Sequence, residues 1–304
     1  MNRAASPPGP RQPRFLVGLV GQDILASRSP WMHEGEADAL GLQMVYSLFD
    51  FAARGWTEAD LPLLLDAAER VGFAGLNVTY PYKQAVIPLL TELTEGARRV
   101  GAVNTIAFTR GRRIGHNTDV TGFAESVARG LADARMNEVV QCGAGGAGSA
   151  TATALLEAGA QHITLFDTDA SRTATLVARL SAEFGQGRVS PGEDLPGALK
   201  RADGFVNATP VGMEKSPGTP IPAALLQPRL WVADIVYFPL ETTLLAEAAQ
   251  KGCRTLDGSG MAVAQAASAF EIFTGLAADR DRMRRRFVAF VNSQSAGADW
   301  PRTD

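Results

Sequence analysis

The chain has 304 residues, 46% of them hydrophobic and 20% charged, which is ample apolar material and more length than one domain usually takes. With 29 basic against 32 acidic residues, the net charge of -3 gives no global attraction for nucleic acid or a membrane surface. Two cysteines, Cys142 and Cys253, exclude a disulfide scaffold, and no apolar run approaches the ~18 residues of a transmembrane helix.

These features fit a cytoplasmic protein of two domains. The Pro- and Arg-rich start lacks the apolar stretch of a secretory signal, so residues 1–13 are expected to be a flexible end. Phe15 to Val20, closed by Gly21, is the pattern of a buried strand. Ser29-Pro30 then starts a helix over Trp31 to Leu40, with Ser29 as N-cap. Met44 to Phe49 predicts a strand, and Thr57 to Val71 an amphipathic helix burying Leu61, Leu64, Leu65 and Ala68. A strand over Phe73 to Val78, a Thr79–Tyr82 turn and a helix over Lys83 to Leu90 follow. Strands over Ala102 to Thr109 and Arg113 to His116 flank a turn at Gly111. The alternation implies βαβ units and a mainly parallel sheet.

From Asn137 the pattern restarts. Strands are expected over Val139 to Cys142, His162 to Phe166, Gly204 to Ala208 and Leu230 to Val236. Helices are expected over Gly148 to Ala158, Ala174 to Phe184 and Thr242 to Lys251. This is a second doubly wound layer, and the Pro- and Gly-rich stretch 210–222 has the composition of a mobile loop. Met261 to Asn292 reads as helix that packs back on the first domain, and 293–304 as a frayed end. The basic cluster Asp279 to Arg286 reads as a solvated helix face; it lacks the aromatic interleaving of a nucleic-acid site.

Gly143-Ala-Gly145-Gly-Ala-Gly148 follows a strand and opens a helix, the context in which G-x-G-x-x-G points to a dinucleotide. Gly143 makes the tight turn, Gly145 lets backbone approach a pyrophosphate, and Gly148 lets helix and strand pack closely. The helix N-terminus offers free N–H groups to the phosphates. Asp167 lies 19 residues after Gly148, where an acidic group grips an adenosine ribose. The competing role for Asp167 or Asp169 is a helix N-cap.

The loops of the first domain gather hydroxyls, amides, one Lys and one Asp: Ser27 and Ser29, then Asn77 to Lys83, Asn104 and Thr105, and Asn117 to Asp119. Such a set suits a small, polyhydroxylated anion. Of 29 basic residues only four are Lys, so Lys83 in a loop suggests that Arg would not serve, since Arg cannot lose its proton. Asp119 has the alternative of an N-cap.

These motifs resemble the shikimate dehydrogenase family. The resemblance rests on Ser27-Arg-Ser-Pro-Trp-Met-His33, Asn77-Val-Thr-Tyr-Pro-Tyr-Lys83, Gly101-Ala-Val-Asn-Thr105, Asn117-Thr-Asp119, the glycine loop, Asn207 to Met213 and Asp257 to Gln265, all in order. Asp167-Thr-Asp169 and Met32-His-Glu34 are more similar to the NAD-dependent quinate/shikimate dehydrogenase branch, since NADP-using relatives tend to carry Asn-Arg-Thr at the first place.

The resemblance implies an N-terminal α/β substrate domain, 14–117, completed by C-terminal helices over 259–292. It also implies a Rossmann-like dinucleotide-binding domain, 118–258. It implies reversible oxidation of the ring hydroxyl of quinate or shikimate to a ketone, with NAD as cofactor in preference to NADP. Lys83 and Asp119 would be the catalytic pair. Ser27 and Ser29 would bind the substrate carboxylate. Asn77, Thr79, Asn104 and Gln265 would meet the ring, with Tyr237 nearby. Gly143, Ala144, Gly145, Gly146 and Ala147 would carry the pyrophosphate, Asp167 and Arg172 the adenosine end, and Thr209, Ile235, Val236 and Gly258 the nicotinamide half. Quinate-using relatives often carry Thr where this chain has Ser29, so Ser29 resembles shikimate-selective members.

Three other readings stand beside this one: an NADP-dependent shikimate dehydrogenase, a dehydrogenase for an amino-substituted ring, and a non-catalytic ligand sensor. No metal site is expected: His33, His116 and His162 are scattered and form no H-E-x-x-H, and no G-x-S-x-G or Walker A motif occurs. His33 and His116 are expected to be structural. The assembly expected is a monomer or homodimer.

Overall fold

The computed structural model describes residues 12–295. The two expected flexible ends therefore lie almost wholly outside the described residues, although residues 293–295 continue the last helix.

The first layer holds β1 (Arg14–Gly21), α1 (Ser29–Ala39), β2 (Gln43–Asp50), the short α2 (Phe51–Arg54), α3 (Leu61–Arg70) and β3 (Gly75–Val78). It continues through β4 (Glu92–Leu93), α4 (Glu95–Val100), β5 (Thr105–Thr109) and β6 (Arg112–His116). Strand order is β2-β1-β3-β5-β6-β4. β1 pairs in parallel with β2 and β3, while β5 is antiparallel to β3 and β6. The β5–β6 hairpin turns on two residues with positive φ, Arg110 (50°) and Gly111 (74°), the backbone a tight two-residue hairpin demands. Leu61, Leu64, Leu65 and Ala68 of α3 face Leu76, Val78 and Ile106, as their spacing predicts.

α5 (Thr118–Gly130) leads into the second layer. This holds β7 (Glu138–Cys142), α6 (Gly146–Glu157), β8 (His162–Phe166), α7 (Ala170–Phe184), β9 (Val189–Pro191) and α8 (Leu195–Arg201). β10 (Gly204–Asn207), β11 (Trp231–Asp234), α9 (Thr243–Gln250) and β12 (Arg254–Leu256) complete it. All its strand pairs are parallel, in the order β12-β11-β10-β7-β8-β9. Counted within the layer that is the dinucleotide-binding order 3-2-1-4-5-6, whose direction reverses between β7 and β10. α10 (Ser259–Thr274) and α11 (Arg280–Ser295) return to the first layer, where Ala266, Ala267, Met283 and Phe287 pack on Met32 of α1.

Four local expectations are corrected. Lys83 to Leu90 is a run of turns ending in a single 3-10 turn at Ile87–Leu89, with Pro88 inside it. Ser29 is not the N-cap of α1; Arg28 holds that position, and no side chain caps the helix. Asp119 is not the N-cap of α5; Asn117 is, its Oδ1 accepting from the backbone N–H of Asp119 (3.1 Å) and Val120 (3.3 Å). The basic cluster on α11 is not merely solvated. Arg282 reaches the fully buried Glu36 of α1 (2.5 Å), and Arg280 pairs with Glu125 (3.1 Å) and Glu271 (2.8 Å).

Candidate active site between the two layers

The loop after β1 is organised by Asp50 at the end of β2. Its carboxylate accepts from the backbone N–H groups of Asp23 (3.1 Å), Ile24 (2.7 Å), Leu25 (3.2 Å) and Ala53 (3.2 Å). Burial raises its pKa, yet these donors together hold it below the usual carboxylate range. The loop then closes through Ser27 N–H to Ile24 O (2.8 Å) and presents two serines, the Ser27 hydroxyl donating to Ser29 Oγ (3.2 Å). That leaves the Ser29 hydroxyl turned into the loop rather than onto its helix.

Behind the serines lies a buried polar row. The Tyr46 hydroxyl donates to Asn77 Oδ1 (2.7 Å), and Asn77 Nδ2 donates to Thr105 Oγ1 (2.9 Å) and Asn104 O (3.3 Å). Burial pushes the Tyr46 phenol up, against a hydrogen bond with Ser29, so it stays a neutral donor. Asn104 Nδ2 donates to Thr118 Oγ1 (2.9 Å), and its Oδ1 accepts from Thr118 N–H (2.8 Å). Asn104 thus pins the start of α5 with Asn77 behind it, while Asn117 Nδ2 ties it to Ala102 O (2.9 Å).

What this frame fixes is Asp119. Its Oδ2 lies 2.6 Å from Lys83 Nζ, with Lys83 and Asp119 side chains only 18% and 7% exposed. Lys83 in turn lies against the glycine loop: a Cβ added at Gly146 would meet its side chain at 3.3 Å. The acid–base pair of one layer and the glycine loop of the other therefore share one space. Thr79 stands at the end of β3, its N–H donating to Val20 O (2.9 Å). Gln265 is half-buried on α10, packed against Gly122 of α5. Tyr237, in the loop after β11, feels burial first, then Asp119, which together raise its pKa, and Arg28, which opposes them.

The glycine loop has the expected form. Gly143 has φ +103°, and a Cβ at Gly148 would collide with the Gly143 carbonyl. Gly145 faces open space: a Cβ there would have no neighbour within 4 Å, which is the cradle a pyrophosphate needs. Ala144 N–H donates to Asp167 Oδ2 (2.7 Å), so Asp167 sits beside the loop, while Asp169 caps α7. Ala147 follows in the first turn of α6, whose leading N–H groups have no helical partner. Arg172 is exposed and pairs with Asp169 (3.4 Å). Across the crevice, Thr209 donates to Asn207 Oδ1 (2.7 Å), and Ile235 N–H donates to Asn207 O (3.0 Å). Gly258 lies so close to the Ile235 and Val236 carbonyls that a Cβ would stand 2.5 Å from the first. The free N–H groups at the start of α6, the open face of Gly145 and the Asp167 carboxylate fit a dinucleotide.

Sequence reasoning missed four supporting residues. Gln141 Nε2 donates to Gly143 O (2.9 Å) and Gly148 O (2.8 Å), bracing the loop from beneath. A Gln in an otherwise apolar strand was the available signal. Asp234 accepts from Asn207 Nδ2 (2.9 Å), Val236 N–H (3.0 Å) and Thr242 Oγ1 (2.8 Å), and burial pushes its pKa up to about 6 against those bonds. Tyr46 carried no signal in its strand, whereas Thr118 lies inside the Asn117-Thr-Asp119 motif at the start of α5 and was passed over between its neighbours. Burial pushes the Cys142 thiol up to about 12, so it is no nucleophile at neutral pH.

The profile of the shikimate dehydrogenase substrate binding domain matches residues 19–106, and that of the shikimate 5'-dehydrogenase C-terminal domain matches residues 258–286. A shikimate dehydrogenase (NADP(+)) from Arthrobacter sp. (strain FB24) is 50% identical over 290 residues, 95% of this chain and 99% of that one. The chain belongs to the shikimate dehydrogenase family. A quinate/shikimate dehydrogenase (NAD(+)) from Corynebacterium efficiens is 48% identical over 279 residues, covering 90% of this chain and 98% of its own. Among solved structures, quinate dehydrogenase from Corynebacterium glutamicum in complex with NAD superposes with a TM-score of 0.86 at 45% identity, over 91% of this chain and all of that one. The α/β architecture, a substrate-binding N-terminal domain beside a Rossmann-like nucleotide layer, is that of the family. Among the described residues no helix is long and apolar enough to cross a membrane.

Proposed function

We propose that the protein is an NAD-dependent dehydrogenase that reversibly oxidises a ring hydroxyl of shikimate or quinate to a ketone. The observation that carries this is the Lys83–Asp119 pair at 2.6 Å, set against the glycine loop. Domain limits of 14–117 with 259–292, and 118–258, follow from that division of labour.

Ser27 and Ser29 hold the substrate carboxylate at one end. Asn77, Thr79, Asn104, Gln265 and Tyr237 border the ring, and Asn104 also keeps the start of α5 in place. Lys83 and Asp119 stand at the reacting hydroxyl and take its proton as the oxygen becomes a carbonyl. In reverse, the same pair returns it. NAD, when bound, supplies the nicotinamide carbon that accepts the hydride. Gly143 to Ala147 cradle its pyrophosphate, Asp167 accepts from its ribose hydroxyls, and Thr209, Ile235, Val236 and Gly258 border its nicotinamide half. Arg172, paired with Asp169 at the surface, stands at the adenosine end.

Positioned acid–base groups are worth ~10²–10⁴-fold in rate. Lys83→Ala should therefore cut kcat at least ~10²-fold while the melting temperature holds. Near-normal turnover would remove Lys83 from the chemistry.

The second reading is an NADP-dependent shikimate dehydrogenase. It is favoured by the names of relatives at 50% and 52% identity and by Ser29. The Asp167 carboxylate speaks against it, because it would face the 2′-phosphate of NADP. We also propose a cytoplasmic enzyme, monomeric or homodimeric, without nucleic-acid or membrane partners.

A further inference from the structure

Arg28 stands between the two serines and takes no part in the chemistry assigned to the other residues of the site. Its guanidinium carbon lies 4.3 Å from the ring centroid of Phe290 on α11 and 5.7 Å from that of Phe238, in the loop that also carries Tyr237. Stacking of this kind fixes where the cation points but brings no negative charge. Among the described residues no carboxylate lies within 4.0 Å of it, whereas Arg280 and Arg282, on the helix that carries Phe290, are both paired. Burial lowers its pKa, as expected for a cation drawn from water without a counter-charge. The Tyr237 phenol opposes that fall. Phe238 adjoins Tyr237 in the chain, so the Arg28 cation lies between the serine loop and the loop that carries Tyr237.

Two hydroxyls can orient a carboxylate but cannot neutralise it, and a carboxylate leaving water loses its hydration. A guanidinium beside it offsets that loss with charge-assisted hydrogen bonds. We propose that Arg28 is the counter-charge for the substrate carboxylate held by Ser27 and Ser29, and that it selects anionic ring substrates over neutral polyols. The ligand, though not the geometry, rests on the dehydrogenase reading above.

The test is a thermodynamic cycle between one side chain and one charge on the ligand. Calorimetry gives Kd for shikimate and for shikimate methyl ester with wild type, Arg28→Met, Arg28→Gln and Arg28→Lys. The Met variant keeps an apolar stem over Phe290, and the Gln variant repeats the measurement should Met fail to fold. Shikimate binding should weaken ~10–100-fold in the Met or Gln variant, the ester should change less than about 3-fold, and Lys should restore part of the loss. Equal losses for acid and ester would make Arg28 a packing residue and overturn the proposal, as would unchanged shikimate affinity. NADH formation by wild type is measured separately. A protein that shows the cycle without turnover keeps this assignment and loses the dehydrogenase reading; turnover without the cycle does the reverse.

Discussion

Ser29 shows how little separates a structural residue from a recognising one. Ser-Pro ahead of a helix has the composition of an N-cap, yet Ser29 is the first residue of α1, Arg28 holds the cap position, and the Ser29 hydroxyl accepts from Ser27. Freed from capping, that hydroxyl is available to the proposed site. A hydrogen bond to a charged group is worth ~1.5–3 kcal/mol, so Ser29→Ala should raise KM for shikimate roughly 10–100-fold with a smaller change in kcat. Ser29→Thr adds a methyl beside the ring and should move the specificity ratio toward quinate. A shift toward shikimate would contradict the placement of this hydroxyl.

His33 is the opposite case, a polar residue with a structural role. Its ring packs among Tyr46, Phe270 and Phe273, with Nδ1 buried and unpartnered. Burial holds the imidazole down at about 3. An unfolded chain takes up that proton near pH 6.5, so between these values only the unfolded state is protonated. The stability of the neutral ring is present above about 6.5 and is lost as pH falls toward the folded value. The loss should reach about 2 kcal/mol between pH 7 and pH 5. His33→Leu should flatten that acid slope in a chemical-denaturation series. An identical slope would mean that the ring is not held neutral.

At the scale of elements, long periodic segments were legible and short ones were not. The apolar face of α3 and the strand–glycine–helix unit of β7 and α6 follow from spacing alone, because many residues vote for one period. β4 and β12 span two and three residues, too few for any period to register. The stretch after Lys83 reads as helix but contains Pro88 and folds as turns, so Lys83 is presented from a turn. The candidate site was legible where chemistry needs unusual residues: Lys83, Asp119, the paired serines and the glycines. Its support was not, since Gln141, Thr118 and Asp234 act through contacts made only after folding.

The basic run on α11 belongs to this scale too. A run of charges reads as a solvated face, but half of it reaches inward. Glu36 accepts from Arg282 Nε (2.7 Å) and Nη2 (2.5 Å) and from Asp279 N–H (2.8 Å), with no exposure of its own. Arg282→Ala would strand that carboxylate. Removing one partner of a buried pair typically costs ~3–5 kcal/mol; Arg282 is part-exposed, so about 1–3 kcal/mol is expected. Thermal unfolding of this variant beside Arg284→Ala, an exposed neighbour expected to be near neutral, would show it. Equal melting temperatures would mean that α11 is not held to α1 by this pair.

The molecule as a whole places one chemistry on each layer and joins them where the chain crosses. α5 starts at Thr118, next to Asp119, and α10 starts beside Gly258, so the two crossing helices each begin at the candidate site. The layers also meet through Arg99 of α4, which pairs with Glu157 of α6 (3.0 Å) and Glu183 of α7 (2.8 Å). Substrate and cofactor would thus be gripped by different layers and brought together by their junction. In the proposed function, cofactor choice would be set within the second layer, at Asp167. A 2′-phosphate ~4 Å from that carboxylate is repelled by about 4 kcal/mol at an effective dielectric of ~20, and screening could halve this. Arg172, five residues along the chain, is paired with Asp169 in an exposed contact (3.4 Å).

The central claim is a hydroxyl-to-ketone oxidation that uses NAD, and initial rates of NADH or NADPH formation test it directly. They should be measured with shikimate and quinate, each against NAD and NADP, for wild type and for Asp167→Asn with Thr168→Arg. Wild type should turn over at least one of the two acids with NAD, favouring it over NADP by at least ~10²-fold in kcat/KM, and the double variant should move toward NADP. A wild type that prefers NADP would contradict the cofactor assignment, and one that reduces neither cofactor with either acid would contradict the account at its root.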